Sequence, residues 1–133
     1  MCSLRAFKQG MRSNPPPPAA SNSPLPASPI PSRVPGPTAK QIATLDLLSN
    51  GRFIFGLGVG GEFESDFNVA GVPITERGSR LAESIEVMRK LWSGQRVSHY
   101  GRHFQFEQIW MEPQPCQHGG PTIRLGGRSD APL

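Results

Sequence analysis

Residues 52–66 read Arg-Phe-Ile-Phe-Gly-Leu-Gly-Val-Gly-Gly-Glu-Phe-Glu-Ser-Asp. Between Phe53 and Val59 no side chain carries a charge, and the apolar run empties into glycines. The glycines then give way to three acids, Glu62, Glu64 and Asp66. A continuous apolar run, in place of alternation, predicts a strand over 52–59 that is covered on both faces, as in a parallel sheet or the interior of a barrel. A buried strand that ends in a tight polar loop is where α/β proteins keep their chemistry. The loop is expected to run from 60 to 75, with one helical turn around Glu64 to Val69 broken by Gly71-Val72-Pro73.

Upstream, Ala39, Ile42, Ala43, Leu45 and Leu48 make a helical apolar stripe. Thr38 followed by Gln41 has the spacing of a capping box, and Pro37 is expected to stop the helix from extending further back. Asn50-Gly51 predicts its end, with glycine as the left-handed cap. Downstream, Glu76 to Ser93 reads as the longest helix, stopped by Gly94. Leu81, Ile85, Met88 and Trp92 lie at helical spacing, and Ala82 and Leu91 widen the face. Glu86 and Lys90 are placed to pair one turn apart, and Arg77 and Arg80 are read as partners in surface or inter-helix ion pairs.

Val97 to Phe106 reads as a hairpin turning near Tyr100-Gly101-Arg102, with Trp110 as its cover. Pro113 to Pro121 is extended loop, and Ile123-Arg124-Leu125 is a short strand entering Gly126-Gly127. Ser129-Asp130 with Pro132 resembles a helix start. Helix and strand alternate, which implies parallel strands joined by right-handed crossovers, and both glycine loops then leave the sheet at the same edge.

Charge divides the chain. Residues 1–38 hold ten of the fifteen prolines, six serines and no acid, and their charges are Arg5, Lys8, Arg12 and Arg33. From residue 39 onward ten basic residues balance ten acidic ones, so the net charge of +4 belongs wholly to the tail. No folded basic surface for nucleic acid is implied. The composition predicts a disordered or polyproline-like tail over 1–38 and an ordered domain over 39–133. Cys2 and Cys116 are the only cysteines, and no disulfide is expected between a tail and a loop. Cys116-Gln117-His118 lacks the second ligand pair that a tetrahedral zinc site requires. With no secretory signal and no segment of ~18 apolar residues, the expected location is the cytoplasm, without a membrane span.

Several stretches together resemble one family. They are Ala-Thr-Leu-Asp-Leu-Leu-Ser-Asn-Gly-Arg-Phe (43–53), Gly-Leu-Gly-Val-Gly-Gly-Glu-Phe (56–63) and Gly-Val-Pro-Ile-Thr-Glu-Arg-Gly-Ser-Arg-Leu (71–81). Leu-Trp-Ser-Gly (91–94), Tyr-Gly-Arg-His-Phe (100–104) and the closing Ile-Arg-Leu-Gly-Gly extend the match across residues 39–131. The family is that of the bacterial luciferase-like flavin-dependent monooxygenases and deazaflavin-dependent oxidoreductases. The resemblance implies an α/β fold, a fragment of a TIM (β/α)8 barrel. Phe53 to Val59 would be its fourth strand, Ile123 to Leu125 its fifth, and the two long helices its third and fourth. A full barrel needs eight strands and ~250 residues. The switch in composition at residue 38 and the stop inside a helix start therefore suggest a truncated or frame-shifted gene, inactive alone, with a split enzyme as the alternative.

The resemblance also places a cofactor, FMN or coenzyme F(420), at the C-terminal mouth of the barrel, with a small-molecule substrate above it. Gly58, Gly60 and Gly61 would line that mouth, since backbone without Cβ atoms approaches a flat ring closely. Glu62 is the candidate catalytic proton donor, one position beyond Gly61, where a related deazaflavin-dependent dehydrogenase pattern has its carboxylate; the alternative is a glutamate at the positive end of the short helix. Gly126, Gly127 and Ser129, with Arg128, would offer an anion site at a helix start, or form a plain turn. His99 and His103 are read as surface or structural histidines without an acid/base partner in sequence reach, and Trp92 as core.

Two other readings belong to different classes. Gly56-Leu57-Gly58-Val59-Gly60-Gly61 satisfies the G-x-G-x-x-G pattern of a Rossmann NAD(P) site, although three acids follow where a pyrophosphate would sit. Arg12, Pro15 and Pro18 have the spacing of a PxxP ligand for an interaction module.

Overall fold

The structure is a computed structural model that describes residues 33–60 and 63–126. The order of elements is α1 (Pro35–Leu48), β1 (Ile54–Gly58), α2 (Glu64–Val69), a 3-10 turn (Ile74–Glu76), α3 (Arg77–Leu91), β2 (Val97–Tyr100), β3 (Gln105–Ile109) and β4 (Thr122–Gly126). β1 and β4 pair in parallel, and β2 and β3 form a separate antiparallel hairpin. The expected alternation and the parallel pairing are both present.

The start of α1 departs from the sequence reading. The helix begins at Pro35, with Val34 as its extended N-cap and Pro37 within the first turn. Proline is tolerated there because the first turn's N–H groups have no partner inside the helix. Thr38 makes no cap. Its Oγ1 donates to the Val34 carbonyl at 2.8 Å, a bond back to the preceding turn. The other end is as expected, with Asn50 and Gly51 both at positive φ (56° and 75°) and the Gly51 N–H closing on the Asp46 carbonyl at 2.9 Å.

The core lies between α1, α3 and one face of β1. Ala39, Ile42, Ala43, Phe55, Leu57, Leu81, Val87, Met88, Leu91, Trp92 and Met111 are buried together. The buried stripe of α3 is rotated from the expected one. Ser84 and Val87 are inside, Ile85 is half-buried and Ala82 is exposed. Among the described residues one face of β1 is covered, where the sequence predicted both: Phe55 and Leu57 are buried, while Ile54 is 45% exposed. Trp110, expected to cover the hairpin, is half exposed, and Met111 takes the buried place.

Two long-range ties set the entry into β4. The Asp46 side chain, fully buried, accepts from the Gln117 N–H at 2.8 Å and from Gln117 Nε2 at 2.7 Å. Gln117 Nε2 also donates to the Phe53 carbonyl at 2.9 Å. These bonds fix the loop before β4 against the start of β1, and so set the register that brings Ile54 opposite Thr122 and Gly58 opposite Gly126.

Candidate functional site

At the C-terminal edge of the parallel pair both strands end in glycine. Gly58 lies opposite Gly126, and Gly56 opposite Arg124. A Cβ added at Gly56 would meet nothing within 4 Å, and one at Gly126 would make only ordinary contact, 3.6 Å, with the Leu57 carbonyl. Gly56 and Gly126 are therefore not required by crowding among the described residues. They leave open space at the strand ends, which is the property a flat ligand needs for close approach. Gly60 follows at φ 95°, a conformation that turns the chain sharply off the strand. Of the residues singled out from sequence, Gly58, Gly60 and Gly126 stand at this edge, while Gly61, Glu62, Gly127 and Ser129 lie outside the described residues.

Beyond the loop, α2 is a six-residue helix held by Phe67, which is 1% exposed. Its first turn carries Glu64 and Asp66, and Phe63 at the N-cap is 72% exposed. A Rossmann pyrophosphate site needs a helix N-terminus open to an anion. Two carboxylates in this first turn oppose an anion, so the glycine pattern at 56–61 does not read as a dinucleotide site.

A second group of ionisable residues lies where α3 meets the hairpin, beside an open groove of about 440 Å³ lined by Glu83, Glu86, Lys90 and His99 among others. Glu83 accepts from the backbone N–H of His103 at 3.0 Å and of Phe104 at 2.8 Å, and pairs with His99 Nε2 at 3.2 Å. Burial raises the Glu83 carboxyl, but the Phe104 and His103 N–H groups and the His99 ring outweigh it and hold it below the usual range. Lys90 bridges Glu86 at 2.8 Å and His99 Nδ1 at 3.1 Å. An ammonium only donates, so Nδ1 accepts, which assigns the proton to Nε2 facing Glu83. Lys90 also lowers the Glu86 carboxyl, chiefly through their hydrogen bond.

His99 and His103, read as surface or structural histidines without a partner in sequence reach, are structural and take their partners from α3. His99 is 4% exposed and faces Glu83, and His103 reaches Ser79 Oγ at 2.8 Å and lies 3.6 Å from Glu76 Oε2. The partners stand 16 and 24 residues away in sequence, on another element, so no local pattern could pair them. Chemically the group is a clasp. Ser79 Oγ commits its proton to the Glu76 carbonyl at 3.0 Å, so His103 Nε2 donates to it and does not activate it as a nucleophile. The Glu76 carboxylate is taken by Arg80 at 2.9 Å, the ion pair expected of that arginine. Among the described residues, no three His, Cys, Asp or Glu side chains gather as a metal site, and no helix is long and apolar enough to cross a membrane.

Comparison with known proteins gives the fold a context. A family model for luciferase-like monooxygenases matches residues 26–133. Uncharacterized proteins of Mycobacterium bovis and Mycobacterium tuberculosis are 36% identical over 105 residues, which covers 78% of this chain and 35% of theirs. The chain therefore spans about a third of the length of the curated relatives it matches. Among solved structures, the monooxygenase RslO1 from Streptomyces bottropensis superposes with a TM-score of 0.69 at 27% identity, over 75% of this chain and 30% of that one. The oxygenating constituent of 3,6-diketocamphane monooxygenase from Pseudomonas putida, in complex with FMN, gives 0.63 at 21% identity, over 74% and 30%. Riboflavin lyase with modified FMN and riboflavin gives 0.65 at 24% identity, over 74% and 27%. At those identities the last two speak for the fold alone.

Proposed function

The chain belongs to the luciferase-like monooxygenase family, and from that premise we propose that its glycine rim forms one sector of a flavin site. FMN is the favoured cofactor because the FMN-bound structures above share this fold, and coenzyme F(420) is the alternative. The observation that carries the reading is the pairing of Gly58 with Gly126, which brings two side-chain-free strand ends to one edge. In a parallel barrel that edge is where catalysis is built. A bound flavin would supply the redox chemistry. The residues of this chain would offer backbone to the ring at Gly58, Gly60 and Gly126, with Gly61, Gly127 and Ser129 continuing the two loops. Glu62 would hold the proton delivered to the reacting small molecule.

The two parallel strands among the described residues form one sector of the eight-stranded wall of a full barrel mouth.

The test is titration of the purified chain with FMN, followed by quenching of flavin fluorescence, and in parallel with coenzyme F(420). Saturable FMN binding that Gly126→Val weakens at least tenfold supports the reading. A Cβ at 126 makes only ordinary contact within this chain, and with the variant's circular dichroism unchanged an effect on FMN reports occupancy of the rim and not a loss of fold. The proposal fails if FMN shows no saturable binding, or if Gly126→Val binds it as the parent does.

A further inference from the structure

We propose that Asp46 and Gln117 are positioning residues of the flavin rim: the tie between their side chains chooses the register that sets Gly58 opposite Gly126; the inference rests on the flavin reading above. The strand ladder does not choose it. Ladder hydrogen bonds come from backbone and form equally well whichever side chains meet. None of the five residues of β4 is buried, and the positions of β1 opposite Arg124 and Gly126 are Gly56 and Gly58, with no side chains to interlock. A slip of one residue would turn the half-buried Ile123 away from the core. A slip of two keeps Ile123 on the core side. In one direction it sets Arg124 opposite Gly58, so that arginine would stand at the rim in place of glycine.

The tie forbids that slip. Asp46 is fully buried in the last turn of α1, and its two side-chain oxygens take the Gln117 N–H at 2.8 Å and Gln117 Nε2 at 2.7 Å. The same Nε2 donates to the carbonyl of Phe53, the residue before β1, at 2.9 Å. The slip that brings Arg124 to the rim would carry Pro115 into the place of Gln117, and proline has neither an N–H nor a side-chain donor. The opposite slip would bring Gly119, which has an N–H and no side chain. Either would leave the buried Asp46 with at most one of its two donors, and a buried acceptor without its donor is costly. A buried polar group with a single matching partner specifies register more than it adds stability. Asp46 and Gln117 thus decide, from the opposite end of the strands, which residues meet the ring.

The experiment uses the full, isotope-labelled chain and two readouts, the cross-strand nuclear Overhauser contact between Gly58 and Gly126 and the FMN dissociation constant. The double variant Asp46→Leu/Gln117→Met replaces both side chains by apolar ones of similar shape, which limits the loss of stability while removing the directional bonds. It should keep its circular dichroism, lose the Gly58–Gly126 contact and bind FMN at least tenfold more weakly. Gln117→Met alone, which keeps the backbone N–H bond to Asp46, should show a smaller loss of both. Glu83→Gln, which loosens the hairpin away from the strands, should keep the contact and leave FMN binding within twofold, a control for stability alone. The inference is wrong, while the flavin reading stands, if the double variant retains the contact, if it loses the contact and still binds FMN as the parent does, or if Glu83→Gln weakens FMN equally. Should the double variant not fold, Gln117→Met decides by the same criteria. If the parent chain shows the contact and does not bind FMN, the flavin reading is overturned and this inference falls with it.

Discussion

The Trp92 indole covers Gly120 so closely that a β-carbon at 120 would lie within the ring's van der Waals surface. Its Nε1–H donates to the Ala39 carbonyl at 3.0 Å, so one side chain ties the end of α3 to both α1 and the loop before β4. Gly120 is at φ 95°, which adds a backbone requirement to the steric one. Gly120→Ala should destabilise the chain by about 2–4 kcal/mol, from positive φ and overpacking together. Thermal unfolding measured by circular dichroism checks this, and an unchanged midpoint would contradict the packing described.

Asp46 serves the same loop through hydrogen bonds. Asp46→Ala would leave the Gln117 N–H and one hydrogen of its Nε2 amide without their acceptors in a region where Asp46 itself is fully buried. The expected loss is about 2–4 kcal/mol, the cost of unsatisfied buried donors and of the vacated volume. Asp46→Asn should lose less, because its carbonyl oxygen still accepts one of the two bonds. Urea denaturation of the two variants would show this order.

The Glu83 clasp makes the hairpin sensitive to acid. Its carboxyl is lower in the folded chain than the ordinary value of 4.5. A depressed folded value means that the stabilisation is fully present above 4.5 and disappears as pH falls through the lower folded value. Amide exchange at Phe104, whose N–H donates to Glu83 at 2.8 Å, should therefore accelerate as pH is lowered below about 4.5, beyond the intrinsic pH trend. Glu83→Gln should show fast exchange at neutral pH and no such step. A step of equal size in the variant would assign it to another group.

Glu62 separates binding from chemistry. Should it deliver the proton, Glu62→Gln in a catalytically complete assembly would lower kcat by about 10²–10⁴-fold while the FMN dissociation constant stays within twofold. Should it only favour the start of α2, the variant would change stability by a few tenths of a kcal/mol and leave kcat intact. Single-turnover kinetics beside thermal unfolding distinguish the two.

Local pattern carried most of the elements. The uncharged run into glycines predicted β1 and its exit, Asn50-Gly51 predicted the end of α1, and the Tyr100-Gly101-Arg102 turn predicted the hairpin, in which the Gly101 N–H meets the Phe104 carbonyl at 2.9 Å. The misreadings share a cause. Thr38 had the residue type of a cap, but proline at the first helical position let the helix begin four residues earlier. Ala82 had the hydrophobicity of a core residue, but packing of α3 buries Ser84 and Val87 and leaves Ala82 outside. In both places a tertiary or backbone requirement overrode a weak local preference.

By itself the sequence determined what depends on neighbours along the chain: the strand and its glycine exit, the two long helices, the turn residues and the family motifs. Tertiary structure decided what depends on partners far apart. It joined Asp46 to Gln117 across 71 residues, gave two histidines without a partner in sequence reach a clasp on α3, and set Gly58 against Gly126 to make the rim. Periodicity and turn chemistry act over a few residues, whereas a buried hydrogen bond or a strand register is chosen only when separate elements pack. The chemistry proposed for this chain rests on that second kind of choice.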